Sequence, residues 1–533
     1  METPSPPPPP PPPPHGIQFA AHLISTFYGD LCSKVCECLL RRGSLSVGLI
    51  IKHTQLTREN VVNCLRVLIH QNCVQAFSFQ RNDVFGEPPK VITQYMALFD
   101  NVMHKSRAPK FLQIVSDELG EDCLGIFQGL IQHGRLSFKQ IIERKEETTG
   151  SLDIHTLREN FNRLLNARFV ERCPAPDPFL PPLEDESAAK KRGSKLAKLN
   201  RIPPKEQRAI DAAAPLESMR FLMEMDENLE KNDEENGKSV SVGEKRKRAL
   251  KSDEDVLDPN DEKKEVLWRV NFEEFMHHMR KKACVSYVKT KINDEASIVL
   301  GAVLDLNGRS ESGPTENTAY LSLNEIYPEV IKKEGGLGMD LERIKVSLEQ
   351  LGCEIVSAGL EDTFSIDIRR FVEMAQNEEV ESVVMRRHGK EAYRIFRLLS
   401  KAGRLVETDK IAESTFVDKK VAIQILYKLW KDEFIYMETL TATGAGRPTK
   451  FNVWGVDKHS LWDQVLDEMY HAALNLRLRI AHEYERGKEV LQLPREKLVG
   501  QFAKKYQLAL KVRSILENSS LSLDNAIMLF HCY

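Results

Sequence analysis

Apolar residues recur every three or four positions through three stretches of the chain, and each stretch closes on nearly the same phrase. The phrases are "LLRRGSLSVGLII", "LIQHGRLSFKQII" and "LSKAGRLVETDKI". Aligned on Gly43, Gly134 and Gly403, they share Leu39, Leu130 and Leu399 four residues before the glycine. They share Leu45, Leu136 and Leu405 two residues after it, and Ile51, Ile142 and Ile411 eight after it. Each position has a physical reason. The first Leu closes an amphipathic helix, whose stripe is Leu31, Val35, Leu39 in the first copy and Ile395, Leu399 in the last. The glycine follows the helix end, where a left-handed backbone costs other residues more. The second Leu points inward from a short extended segment, and the Ile anchors a second, short helix.

A third helix follows in each copy. "RENVVNCLRVLI" starts at Arg58 and presents Val61, Leu65, Leu68 and Ile69. "RENFNRLL" starts at Arg158, after an apparent insertion "KEETTGSLD", and presents Phe161, Leu164 and Leu165. "DKKVAIQILYKL" starts at Asp418 and presents Val421, Ile425 and Leu429. Strand-like runs come next: "CVQAFSF" and "VITQYMAL" in the first copy, "RFVERC" in the second, "EFIYMETL" and "KFNVWGV" in the last. Helix, short strand, two helices and a β-hairpin is the winged-helix plan. A degenerate fourth copy lies between, with Leu304 four before Gly308, then "AYLSLNEIYPEVI", "DLERIKVSLEQLG" and a wing from "EIVSAG" to "TFSIDI".

From Asp457 the spacing changes to a heptad-like seam of Leu461, Val465, Met469, Ala472, Leu476 and Ile480. Pro494 interrupts it, and Leu498, Phe502, Leu508 and Val512 resume it. This predicts two antiparallel helices, followed by an apolar end, "SLSLDNAIMLFHCY", that docks on the body or on a partner. The expected fold is therefore mainly α with small β wings: four tandem winged-helix domains plus a C-terminal antiparallel coiled-coil hairpin. The expected boundaries are a disordered Pro-rich tail at 1–15, winged helices at 16–105 and 106–173, and a charged flexible linker at 174–264. Two further winged helices follow at 265–375 and 376–456, then the hairpin and tail at 457–533.

Composition sharpens the linker. Proline-rich, basic and acidic blocks follow Pro174 with few aromatics, too little apolar area to offset chain entropy, apart from a short helix near Leu216 to Leu229. Lys190, Lys191 and Arg192, with Lys245, Arg246, Lys247 and Arg248, read either as nuclear-import clusters or as solvated charge. The 533 residues carry a net charge of −3, so no global positive field draws the chain onto nucleic acid. No apolar run is long enough for a transmembrane helix and no signal peptide is evident, so no membrane contact is expected. The ten cysteines form no CxxC pair and are expected as reduced, mostly buried thiols in cytosol or nucleus.

Candidate chemistry is sparse. "GGLG" at Gly335 and "GAG" at Gly444 lack a Walker lysine, and the adjacent His277 and His278 lack metal-ligand spacing. No catalytic residue, cofactor or metal site is expected, and the chain is expected not to be an enzyme. Basic residues gather locally around the last copy: Lys419 and Lys420, with Lys428 and Lys431, on its third helix, and Arg447 and Lys450 at its Gly-flanked wing tip. Arg386, Arg387 and Lys390 in "MRRHGK" precede it. These are the DNA-proximal candidates, because a Gly-flanked Arg on a wing can reach a phosphate or the minor groove. In the first copy Glu59 interrupts Arg58, Arg66 and His70, which suits a protein-binding face better.

Two winged helices, a charged linker, two more winged helices and a coiled coil resemble a family of RNA polymerase III subunits. Its members head the specific three-subunit initiation subcomplex and are related to the alpha subunit of transcription factor IIE. The likeness spans Gly16 to Tyr533 and is carried by "LIQHGRLSFKQII", "GKEAYRIFRLLSKAGRLVETDKIAE" and "GRPTKFNVWGV". It implies a nuclear, non-catalytic subunit that docks beside the clamp of the largest subunit with two specific initiation partners. It further implies recruitment through transcription factor IIIB and help in opening DNA at genes for transfer RNA, 5S ribosomal RNA and other small RNAs. The alternatives are a tandem winged-helix scaffold of another assembly, such as a cullin-like or vesicle-sorting complex, and a free DNA-binding transcription factor. The low net charge counts against the last.

Overall fold

A computed structural model describes residues 12–81, 90–149, 154–180, 204–223, 265–307, 318–358, 361–442, 449–492, 494 and 500–533. In the first repeat, Asp30–Arg42 is a helix whose buried face is Cys32, Val35, Cys36 and Leu39. Leu31, assigned to that face by spacing, is exposed. Gly43 ends the helix at φ 76°. The short helix Val47–Thr54 and the helix Arg58–His70 follow, the latter capped by the Thr57 hydroxyl, which accepts from the Asn60 N–H. Strands β1 (Val74–Arg81) and β2 (Lys90–Ala97) then pair antiparallel as the wing.

The second repeat has helix Glu121–His133, strand β3 (Leu136–Ser137) and helix Phe138–Thr149. The latter helix runs on into the segment taken as an insertion. Helix Ile154–Asn166 buries Leu157, Phe161, Leu164 and Leu165 and leads into β4 (Val170–Arg172). Strand β5 (Phe179–Leu180) runs parallel to β1, with Ser78 opposite Phe179 and Phe79 opposite Leu180. Strand β6 (Leu267–Val270) lies between β3 and β4 and pairs antiparallel with both. The return strand of the second wing thus comes from beyond the linker, and residues 265–275 do not begin the third winged helix as the spacing suggested. Aromatic packing explains this. Phe275 stacks on Phe169 at 4.6 Å and 16°, and Phe111, Phe127 and Trp268 fill the rest of that core.

The described residues of the linker, 174–180 and 204–223, are packed rather than free. Helix Lys205–Ala213 buries Ala209 and Ala213, and Ala209 with Leu180 covers Phe77 and Met96 of the first wing. Of the helix expected near Leu216–Leu229, residues 216–223 are described and carry one turn, Glu217–Arg220; the rest lies outside the described residues. Arg220 donates from Nε to the buried Glu171 at 2.6 Å, and Arg269 does so at 2.8 Å. The basic clusters Lys190–Arg192 and Lys245–Arg248 lie outside the described residues.

The third repeat is assembled from helix Asp294–Asn307, β7 (Leu321–Ser322), helices Leu323–Ile331 and Leu341–Leu351, and β8 (Glu354–Ala358) with β9 (Glu361–Ser365). Its core is continuous with the C-terminal end of the chain: Leu529 and Tyr533 pack against it, and Gln376 donates to the Leu529 carbonyl. The apolar tail therefore docks on the body. Helix Ile368–His388 leads to the last repeat: helices Lys390–Ala402, Thr408–Thr415 and Lys419–Lys431, with β10 (Val406–Glu407), β11 (Tyr436–Ala442) and β12 (Thr449–Gly455). Sheet order is β10-β12-β11, so the wing's second strand is central.

Helices Lys458–Leu491 and Gln501–His531 finish the chain. Gly487 faces Ala509, and Tyr470 faces His531, so the two helices run in opposite directions. The buried seam of the first is Leu461, Val465, Met469, Tyr470 and Ala473, whereas Ala472 is exposed. On the second, Phe502 and Leu508 are exposed rather than packed. Chain contacts divide the molecule into two units, residues 1–11 with 20–275, and residues 12–19 with 276–533. Within the second unit the helix beginning at Pro14, inside the stretch expected as tail, is held where the His15 N–H donates to Asp467 Oδ1 at 2.7 Å.

The ten cysteines are free thiols. Burial pushes the Cys73 thiol up to about 11 and raises that of Cys36 as well, which suits a packing role rather than a reactive one. Among the described residues no helix is long and apolar enough to cross a membrane, and no cluster of three or more His, Cys, Asp or Glu could hold a metal.

Candidate nucleic-acid interface

The last winged sheet carries most of the basic candidates. Its third helix, Lys419–Lys431, starts where Asp418 accepts from the Lys420 N–H at 3.2 Å. The helix buries Ala422, Leu426 and Leu429. Val421 is exposed and Ile425 only half-buried, so the buried face is turned from the expected Val421, Ile425 and Leu429. The sequence "VAIQILYKLW" is apolar nearly all round, and packing against the first helix selected the face.

That turn decides which charges reach solvent. Lys420, Lys428 and Lys431 are exposed, as is Lys450 on β12 opposite Thr441, and none makes an ion pair among the described residues. Lys390, at the start of helix Lys390–Ala402, is likewise exposed. Three other candidates are already engaged. Lys419 Nζ lies 2.7 Å from Asp409 Oδ1, and that hydrogen bond, with the charge of Asp409, holds its pKa above the usual lysine value. Arg386 pairs with Glu379 at 3.2 Å. Arg387 pairs with Glu468 at 2.5 Å and lies 5.9 Å over the Phe434 ring. Arg447 lies outside the described residues.

Sequence reasoning missed a groove beside this surface. It lies between β10, the start of helix Thr408–Thr415, helix Lys419–Lys431 and β12, with a volume of about 260 Å³. Its walls include Tyr427 and Phe451 and the buried Trp454, with Glu407 and Asp409 at the polar side. Tyr427 and Trp430 are both more than two-fifths exposed on the helix. The signal was present in "YKLWKDEFIY", where aromatic residues alternate with charges on positions the buried face leaves outside.

The chain matches three family models. RNA polymerase III subunit RPC82 matches at residues 159–399, the helix-turn-helix domain of RNA polymerase III subunit RPC82 at 18–78, and the POLR3C C-terminal winged-helix domain at 380–454. It is similar to the DNA-directed RNA polymerase III subunit RPC3 of Mus musculus, 24% identical over 89% of this chain and 86% of that one. The corresponding protein of Dictyostelium discoideum is 22% identical, over 96% of this chain and 99% of that one. A shorter match, 30% identical over 24% of this chain and 18% of that one, is to the rpc3 subunit of Botryotinia fuckeliana.

Proposed function

We infer that this chain is a member of the RNA polymerase III subunit RPC82 family and works as an accessory subunit of RNA polymerase III without an active site of its own. Its partners are other subunits of that enzyme. Among them we place two specific initiation partners and the clamp of the largest subunit, with transcription factor IIIB and promoter DNA as further contacts, in the nucleus. The role is promoter recruitment and DNA opening at transfer RNA, 5S ribosomal RNA and other small RNA genes. Four tandem winged helices and a terminal antiparallel helical hairpin supply the surfaces.

One observation carries this reading. The likeness to the mouse and slime-mould subunits covers nearly the whole of each chain, so the shared feature is an order of domains rather than one winged helix. Fold alone would leave many functions open. The exposed lysines of the last sheet support a DNA contact there, and Lys420 with Lys450 are its best-placed members because no ion pair among the described residues neutralises them. Affinity purification of the tagged chain from nuclear extract, followed by mass spectrometry, tests the assignment. The expected result is the polymerase III core with two small specific partners. Recovery of the chain alone, or of an unrelated assembly, sinks the function and leaves the fold standing.

A further inference from the structure

The groove on the last winged sheet is built like a socket for a cation rather than for a phosphate. Glu407 is half-buried in its wall, and its side chain makes no hydrogen bond or ion pair among the described residues. Lys419 also lines the groove, pairs with Asp409 at 2.7 Å and feels the charge of Glu407 as well. The groove therefore holds two carboxylates against one ammonium, although the surrounding helix surface is basic. A phosphate entering here would meet Glu407.

The aromatic wall is held rigid. The Trp454 indole N–H donates to Thr408 Oγ1 at 2.9 Å, and Tyr427 stands edge-on to Trp454 with centroids 5.4 Å apart at 90°. Asn452 Nδ2 donates to the Tyr427 hydroxyl at 3.3 Å, which fixes the ring while 42% of the residue stays exposed. The volume of about 260 Å³ falls just below the roughly 300–1,000 Å³ of small-molecule sites, which suits one or two side chains and no cofactor. A fixed aromatic face beside an unpaired carboxylate matches a guanidinium, which stacks on a ring and bonds a carboxylate in one plane.

We propose that this groove docks an arginine side chain from a segment of a partner protein, with the guanidinium on Tyr427 and paired to Glu407. The socket would then place a protein contact directly beside the exposed Lys420 and Lys450, and the two surfaces would sort partners by sign of charge.

Saturation-transfer NMR on the full chain tests this with the tripeptide Gly-Arg-Gly and its neutral isostere Gly-citrulline-Gly. Transfer to the arginine δ-methylene is expected with the first and not with the second. In Glu407→Gln, with an unchanged melting temperature, the arginine peptide should bind about fivefold more weakly, the upper range for a partly exposed charge pair. Equal transfer to both peptides, or affinity unchanged in Glu407→Gln, overturns the proposal. So does transfer to the bases of an oligothymidine that Tyr427→Ala abolishes, which would make the groove a stacking site for single-stranded nucleic acid.

Discussion

The first and last winged sheets are written with the same phrase and end in opposite conditions. The first is closed by its own chain. Strand β5 extends its edge, Lys205 Nζ sits 3.1 Å over the Phe79 ring centroid, and Ala209 packs with Leu180 against Phe77 and Met96. The last sheet has no such cover among the described residues and keeps an aromatic groove open beside exposed lysines. The glycines of the phrase divide differently. A Cβ on Gly134 of the second copy, at φ 82°, would run into the carbonyl oxygen of His70, whereas one on Gly43 of the first meets only Glu206 Oε1 at 3.9 Å and one on Gly403 of the last, at φ 58°, meets nothing within 4 Å. One local motif can thus be a packed structural joint or an open interface, depending on what the rest of the chain lays against it.

The largest effect should come from the tightest of the three joints, Gly134 of the second copy. Gly134→Ala should cost about 4 kcal/mol, combining a strained left-handed backbone with overpacking, whereas Gly403→Ala should cost only about 1 kcal/mol. Denaturant melts of both variants decide it, and equal losses would erase the distinction between the two joints. Next, Glu171→Ala strips the shared partner from Arg220 and Arg269 and should cost about 3 kcal/mol. It should also release the Glu217–Arg220 turn, seen as new protease cleavage at residues 216–223; an unchanged cleavage pattern would show that the turn is held by other contacts.

Smaller still, Ala209→Glu should lift helix Lys205–Ala213 from the first wing at a cost of about 2 kcal/mol, by forcing a charge into an apolar seal. Faster amide exchange confined to β1, β5 and that helix is the expected readout, and exchange spread over the whole unit would mean the cover is not a separable layer. The smallest effects belong to the open side. Lys420→Ala and Lys450→Ala should each lower the salt slope of DNA binding by about one, without change in melting temperature, while Lys419→Ala, already paired with Asp409, should leave the slope in place. A Lys419→Ala slope change matching that of Lys420→Ala would place the DNA contact on the helix start instead. Replacing Arg447 together with Lys450 by Ala should weaken the DNA contact further and leave the domain folded.

Much of the fold was legible because it is locally encoded. Leu39, Leu130 and Leu399 are buried, and Gly43, Gly134 and Gly403 all take positive φ, since cap and stripe depend on neighbours a turn away. The strand-like runs fell where alternation placed them. For the basic candidates, composition located charge, and it could not separate Lys420, which makes no ion pair among the described residues, from Arg386, Arg387 and Lys419, which meet Glu379, Glu468 and Asp409.

By itself the sequence determined the repeat, the helix ends, the wings and the absence of a strong global charge, all of which follow from spacing over a few residues. Only the tertiary structure decided that Leu267–Val270 returns across the linker to close the second sheet, and that linker residues cover the first. It alone turned helix Lys419–Lys431 onto Ala422, Leu426 and Leu429, leaving Tyr427 to line a groove with Glu407. The physical reason is common to all three. A strand, an apolar face or a carboxylate states what it needs, a partner, and the choice among distant partners is made by which arrangement buries the most apolar surface with its polar groups paired.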